Sequence, residues 1–423
     1  MISRVMPQSV TGLRCVLCAA VHVPEADRYV CDACGPPGTL DVEYDWDRVL
    51  AGWGRDALGP DPGMWRWRPM LPVAAGAPVP PLAIGATPLY EAPRLAERAG
   101  LARGWVKDEG RQPTASLKDR ASAMALVVGA GFGAEVVATA STGNAAAALA
   151  GVAASMGRSA VIFVPEAAPE AKVAQLLAYG ATVVLVRGSY ADAFDLSELA
   201  VARYGWYDRN TGLNPYTTEG KKTAMLELAE QLGWVMPDAV FVAVGDGSII
   251  GGLHKGLVEL DRLGWIDRVP RLVGVQAAGS DYLVQAFESG GDVATKPAIA
   301  ATTVADSISS DLPRDRVKAM RAVRETGGAF VRVDDEAILA AIPVLARGCG
   351  VFAEPAAAAA WAGVEAAVDT GVVPAGARVA VLSTGSGLKD VGAVRRAVAA
   401  AGSEPIVVEP DLGALEAALE ERA

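Results

Sequence analysis

The sequence predicts an α/β protein with largely parallel sheets, and three observations predict it. Six apolar runs, Glu135 to Ala138, Ala160 to Val164, Thr182 to Val186, Val240 to Val244, Leu272 to Val275 and Val379 to Leu382, alternate with helical stretches as βαβ units do. Three of these runs end in loops rich in glycine, serine and threonine, at the strand ends where such sheets bind ligands. At 423 residues, with 52% hydrophobic and 21% charged residues, the chain supports a large core and two or three domains.

Charge narrows the partners. Lys plus Arg number 38 against 49 Asp plus Glu, a net charge of −11 that repels phosphate backbones and anionic lipid. Nucleic acid and membrane partners are therefore not expected. Met1 to Pro7 contain no continuous apolar signal region, and the alanine-rich stretches are interrupted before they could span a bilayer. A cytoplasmic location is expected. Five cysteines, four of them within the first 34 residues, are too few and too local for a disulfide scaffold.

In chain order, Cys15-Val-Leu-Cys18 and Cys31-Asp-Ala-Cys34 form two knuckles that can bring four thiolates around one tetrahedral zinc. A four-cysteine site is closed, so the metal would be structural. His22 is a less favoured ligand, and a metal-free ribbon is the alternative. Residues 53–81, with Trp65, Trp67 and many prolines, read as an irregular arm packed against the body or against a partner subunit.

Gln112-Pro113-Thr114-Ala115-Ser116-Leu117-Lys118-Asp119-Arg120 then places one lysine at a loop-to-helix junction, before a run of good helix formers from Ala121 to Leu126. A lysine at such a helix start projects into the cavity the loop lines. Desolvation lowers its pKa and frees the amine for Schiff-base chemistry. Taken alone, the stretch fits a surface lysine paired with Asp119 better.

The loops change that balance. Ser141-Thr142-Gly143-Asn144 leads into an alanine-rich helix and offers backbone N–H groups, two hydroxyls and an amide. It is an anion cradle or, equally, a helix cap. Gly245-Asp246-Gly247-Ser248-Ile249 opens another helix, where glycine admits a phosphate close to the backbone and the helix dipole favours it. It lacks the Gly-Lys-Ser/Thr of a nucleotide P-loop, and Asp246 must turn its side chain away from a phosphate. Ser383-Thr384-Gly385-Ser386-Gly387 is a third small, hydroxylated loop. One lysine, two cradles and a late hydroxyl suit pyridoxal 5'-phosphate and a small amino-acid substrate. With only His22 and His254 in the chain, a histidine-dependent triad is excluded.

With these motifs the chain resembles the threonine synthase family, within the tryptophan synthase β-like (fold type II) pyridoxal phosphate enzymes. Pro113 to Arg120 resembles that family's PTGSFKDR, Ser141 to Asn144 its serine-glycine-asparagine motif, and Asn214-Pro215-Tyr216 with Glu219-Gly220 its NPxRxEG. Glu354-Pro355-Ala356 and Thr384 to Asp390 match two further motifs, and the cysteine ribbon is similar to one that many members carry. The resemblance implies that Lys118 holds the cofactor and shuttles protons, Asn144 bonds its 3-hydroxyl, and Gly245, Asp246, Gly247, Ser248 and Ile249 bind its phosphate. Thr384 would face the pyridine nitrogen, which suits eliminations and replacements. Ser116, Ser141, Thr142 and Asn144 would contact substrate.

The fold so implied has two parallel-sheet α/β domains behind a zinc-ribbon-like segment, residues 1–45. Residues 46–130 and 211–423 would form the large cofactor-binding domain, and 131–210 the small one. A homodimer is expected. The implied reaction converts O-phosphohomoserine and water to threonine and phosphate. Two departures bear on it: Ala145 stands where the family has a threonine, and Thr217 where it has the arginine of NPxR, both substrate-phosphate contacts in the family. Lys107, Arg111, Lys221 and Arg314 are basic residues that could replace that arginine. The alternatives are a β-eliminating or β-replacing enzyme on serine, threonine or phosphoserine, and a non-catalytic binding protein.

Overall fold

The computed structural model describes residues 6–421, so Met1 to Val5 of the N-terminal reading lie outside the described residues. At the front, β1 (Val10–Cys15), β2 (Val21–His22), β3 (Val30–Cys31) and β4 (Gly35–Tyr44) form an antiparallel ribbon in the order β2-β1-β4-β3. It is joined to the body by polar contacts: Tyr44 donates to Glu219 at 2.6 Å, while Lys318 and Lys255 donate to the carbonyls of Leu40 and Val42 at 2.8 and 2.7 Å.

Two parallel sheets follow. β5 (Leu89–Glu91) and β6 (Arg103–Asp108) precede β7 (Val136–Ala140), β8 (Ser159–Pro165), β9 (Thr182–Val186) and β10 (Tyr207–Asp208). β11 (Ala239–Ala243), β12 (Arg271–Ala277), β13 (Ala329–Val333) and β14 (Arg378–Ser383) complete the set. The smaller sheet has the order β10-β7-β8-β9 and the larger β13-β12-β11-β14-β6-β5, with only β5 antiparallel. All six runs read from sequence are strands. The ones that periodicity missed are the two- and three-residue strands β5 and β10, and β6 and β13, whose arginines and lysine interrupt the apolar pattern.

The order positions the site. β14 lies between β6 and β11, and all three are parallel, so their carboxyl ends emerge side by side. The loop after β6 leads into the helix that starts at Lys118, the loop after β14 carries Thr384 and the loop after β11 Gly245. Sequence separations of more than a hundred residues thereby become adjacency.

Residues 53–81 are an irregular arm, as expected, and of the two packings expected for it the tryptophans take the one against the body. Trp67 is fully buried and Trp65 nearly so within this chain. Trp67 meets Trp234 edge-on at 6.3 Å, and Trp53 lies 5.3 Å from Trp265. Packing these indoles against the body buries a large apolar area within the chain.

Candidate active site

Lys118 is the first residue of the Lys118–Gly131 helix, which is buried on nearly all sides. Its neighbours in sequence are anchored elsewhere. Asp119 accepts from the backbone N–H of Thr114 at 2.7 Å and from the Thr114 hydroxyl, so it does not pair with the lysine. Arg120 makes a bidentate pair with Glu109, 2.8 Å in each arm, and reaches Glu227 at 3.1 Å, all within the interior. Burial alone would raise Glu109, but the Arg120 charge holds it down at about 2. Leu117 N–H donates to the Thr384 carbonyl at 2.9 Å, and Ser386 N–H to that of Ala115 at 3.0 Å. Lys118 is thus held by its neighbours' bonds while its own amine, among the described residues, has no hydrogen-bond partner. Burial, followed by the Arg209 charge, pushes that amine down to about 8.

A cavity surrounds it, lined by Lys118, Asn144, Gly245 to Ile250, Ser307, Glu354 and Thr384. On one side the Ser248–Arg262 helix begins, with Gly247 before it at φ +86°, a left-handed conformation that glycine adopts without strain. A Cβ there would meet the Asp315 carbonyl oxygen at 2.8 Å. The first N–H groups of this helix have no intrahelical acceptor and belong to residues that line the cavity, an arrangement that favours an anion. Asp246 turns away, accepting from Ser310 Oγ at 3.2 Å and Arg314 N–H at 3.4 Å. An unpaired amine of depressed pKa, a glycine-lined helix start and a buried hydroxyl at Thr384 together fit pyridoxal phosphate.

An adjoining cleft is lined by Thr142, Gly143, Asn144, Lys172, Asp306 and Lys389, among others. Ser141 sits at its edge, its Oγ accepting from Gly143 N–H at 3.2 Å. Ser116 lines neither space; it is 1% exposed and, among the described residues, its hydroxyl is without a partner. Asn144 donates to Glu354 Oε1 at 2.7 Å and lies 3.4 Å from Ser307 Oγ. Burial raises Glu354 to about 7.

Several charged residues to which the sequence assigned no definite role are buried in or near this region. Glu354, Glu109, Glu227, Arg209 and Lys221 are all buried. Their signal was present as charged residues inside otherwise apolar helices and strand ends, which implies either paired charges or a ligand. Of the four basic candidates for the missing arginine, Lys107 is paired with Glu227 and Arg111 is exposed. The Arg314 guanidinium lies over the Phe194 ring at 3.6 Å. Lys221 is buried among hydroxyls.

The four ribbon cysteines converge, every Sγ within 4.8 Å of the others and Cys18 3.7 Å from Cys31. Thiolates bound to zinc at about 2.3 Å would be about 3.8 Å apart, so Cys15, Cys18, Cys31 and Cys34 fit one tetrahedral structural ion. His22 is not part of the set.

Comparison with known proteins agrees with this geometry. Residues 81–385 match the family model described as pyridoxal-phosphate dependent enzyme. The chain is 35% identical to a threonine synthase of Methanocaldococcus jannaschii, over 96% of this chain and 99% of that protein. It is 37% identical to a threonine synthase of Methanosarcina acetivorans, over 96% and 98%. Among solved structures, a threonine deaminase isoform 2 from Solanum lycopersicum superposes with a TM-score of 0.64 at 22% identity, covering 75% of this chain and 83% of that one. At that identity the likeness shows the fold alone.

Proposed function

This chain belongs to the family of pyridoxal-phosphate dependent enzymes, among its threonine synthases, and on that premise we propose that it converts O-phosphohomoserine and water to threonine and phosphate. The observation that carries the reading is the unpaired, desolvated Lys118 amine between a glycine-lined helix start and the Thr142–Asn144 cleft. When bound, the cofactor would supply an electron sink for the substrate's amino-acid carbons.

The chain's own residues would do the rest. Lys118, poised at about 8, would hold the cofactor and then take and return protons near neutral pH. The N–H groups from Gly245 to Ile249 would hold its phosphate, and the Thr384 hydroxyl would meet its ring nitrogen. Thr142, Asn144 and Ser141 would orient the substrate carboxylate. Residues 131–210 would act as the small domain that shuts over the substrate and keeps water out until it is needed. Two contacts support this closure: Lys172 to Asp306 at 3.2 Å and Asn144 to Glu354. A cytoplasmic homodimer completes the reading; among the described residues no helix is long and apolar enough to cross a membrane.

Thr217 favours the second reading, a β-eliminating enzyme on serine, threonine or phosphoserine, because it leaves the family's arginine position without charge. A substrate panel separates the two. Phosphate release with threonine formation from O-phosphohomoserine is expected. No turnover of that substrate, together with 2-oxobutanoate from threonine or pyruvate from serine, would replace the first reading with the second.

A further inference from the structure

Lys221 differs from the other buried lysines around it. Lys107 pairs with Glu227, Lys222 with Glu219 and Glu259 at 2.6 and 2.8 Å, and Lys318 with Asp41 at 3.0 Å. Lys221 is fully buried, yet among the described residues its ammonium bonds only to hydroxyls, Thr217 Oγ1 at 3.2 Å and Ser248 Oγ. It sits between helices, its Cβ 2.7 Å from where a side chain at Gly252 would begin. Ser248 is the first residue of the 15-residue helix whose N-terminus lines the Lys118 cavity.

A second buried cation is likewise incomplete. Arg209, 0% exposed, donates through Nε to Ser122 Oγ at 3.0 Å and through Nη1 to Thr211 Oγ1 at 2.9 Å, but among the described residues its Nη2 has no partner. Ser122 lies one turn along the helix from Lys118, and the guanidinium charge acts on the Lys118 amine from behind the residues that line the cavity. Of the carboxylates whose charge acts on these cations, Asp208 accepts from Asn210 N–H at 2.6 Å, Asp119 accepts from Thr114 N–H at 2.7 Å, and Asp315 faces Lys318 at 3.9 Å. A buried cation left with neutral partners is costly, and an anion arriving in the cavity removes that cost. Burial, then repulsion from Lys118 and Arg209, pushes Lys221 well below the ordinary lysine range, which an arriving dianion would reverse.

We propose that Lys221, with Arg209 beside it, receives the substrate's phosphoryl group, providing from one helical turn beyond Thr217 the charge that position lacks. This inference rests on the threonine synthase reading. The cofactor phosphate has the backbone amides of Gly245 to Ile249; the departing phosphate needs a cation, because charge grows on it as its bond to carbon breaks. Thr217 then serves by accepting from Lys221 and aiming it.

The test uses wild-type holoenzyme and Lys221→Gln, with inorganic phosphate as the probe, titrated by calorimetry, alongside the KM for O-phosphohomoserine and the affinity of the cofactor-free protein for pyridoxal phosphate. Phosphate affinity is expected to fall by about tenfold or more and KM to rise comparably, with cofactor affinity changed by less than about threefold. Lys221→Arg should retain phosphate binding. A tenfold loss of cofactor affinity with unchanged phosphate binding would reassign Lys221 to the cofactor phosphate and overturn the proposal. So would unchanged values throughout. If Lys221 were merely structural, its removal would destabilise the cofactor-free protein; here Lys221→Gln should raise its melting temperature. Should wild type turn over no O-phosphohomoserine, the function fails, while the phosphate titration still decides the role of Lys221.

Discussion

Asn144 donates its side-chain amide to Glu354 Oε1 at 2.7 Å, joining the first residue of the Asn144–Ser155 helix to the residue that precedes the Pro355–Asp369 helix. The bond crosses from the smaller sheet's layer to the larger one's. Gly385 is compressed against it, since a Cβ there would lie 2.4 Å from Glu354 Oε1. Glu354 is buried and raised to about 7, so this link titrates near neutral pH.

Glu354 should therefore make stability depend on pH. Its folded pKa lies above the ordinary carboxylate value of about 4.3, so between the two the folded state keeps a proton that the unfolded chain has lost. Stability falls as pH rises through that window, and the loss is complete above 7. Glu354→Gln keeps an acceptor for Asn144 without the charge. Urea unfolding of the cofactor-free proteins should show the variant more stable by ~1–3 kcal/mol at pH 8, with the gap closing by pH 4.5. A gap independent of pH would contradict this account.

Lys118 carries the opposite sign. Its folded pKa of about 8 lies below the ordinary ~10.4, so the cost of burying its charge is complete below pH 8 and fades as pH rises through that interval. Lys118→Ala should leave the cofactor-free protein at least as stable at pH 7, abolish the bound cofactor's visible absorbance, and lower turnover by ~10³-fold or more. Retained absorbance and activity would refute its role.

Arg120 holds the helix that carries Lys118. Removing it leaves the Glu109 and Glu227 carboxylates buried without their shared partner. Arg120→Met should cost about 3–5 kcal/mol in urea unfolding, well above the range for a surface ion pair. A change under 1 kcal/mol would mean that the two acids are hydrated or protonated in the folded state.

Metal removal should act on the ribbon. Stripping a four-thiolate ion would free β1 to β4 and with them the bonds of Tyr44, Leu40 and Val42 to the body. One zinc per chain by elemental analysis is expected, along with a lower melting temperature in chelator. Turnover by molecules that remain folded should change little, since the cysteines lie outside the cavity around Lys118. A metal-free protein of equal melting temperature would refute the structural role.

Sequence alone was enough for the layered α/β fold and the cysteine set, because each depends on local pattern, apolar period and short spacings; around Lys118 the local stretch fitted a surface lysine, and only the distant glycine- and hydroxyl-rich loops pointed to a site. Ala115 shows how far local pattern reaches; it stands where the resembling family has glycine, and it sits at φ +66°, a conformation that favours glycine. Only the tertiary structure decided which charges face which. Lys107 and Lys221 read alike as lysines in sequence, yet one is neutralised by Glu227 and the other is left among hydroxyls. The difference comes from parallel packing of β6, β14 and β11 and the helices behind them, which brings distant residues together. Electrostatic pairing depends on distances of a few ångströms, and no periodicity in a sequence encodes those.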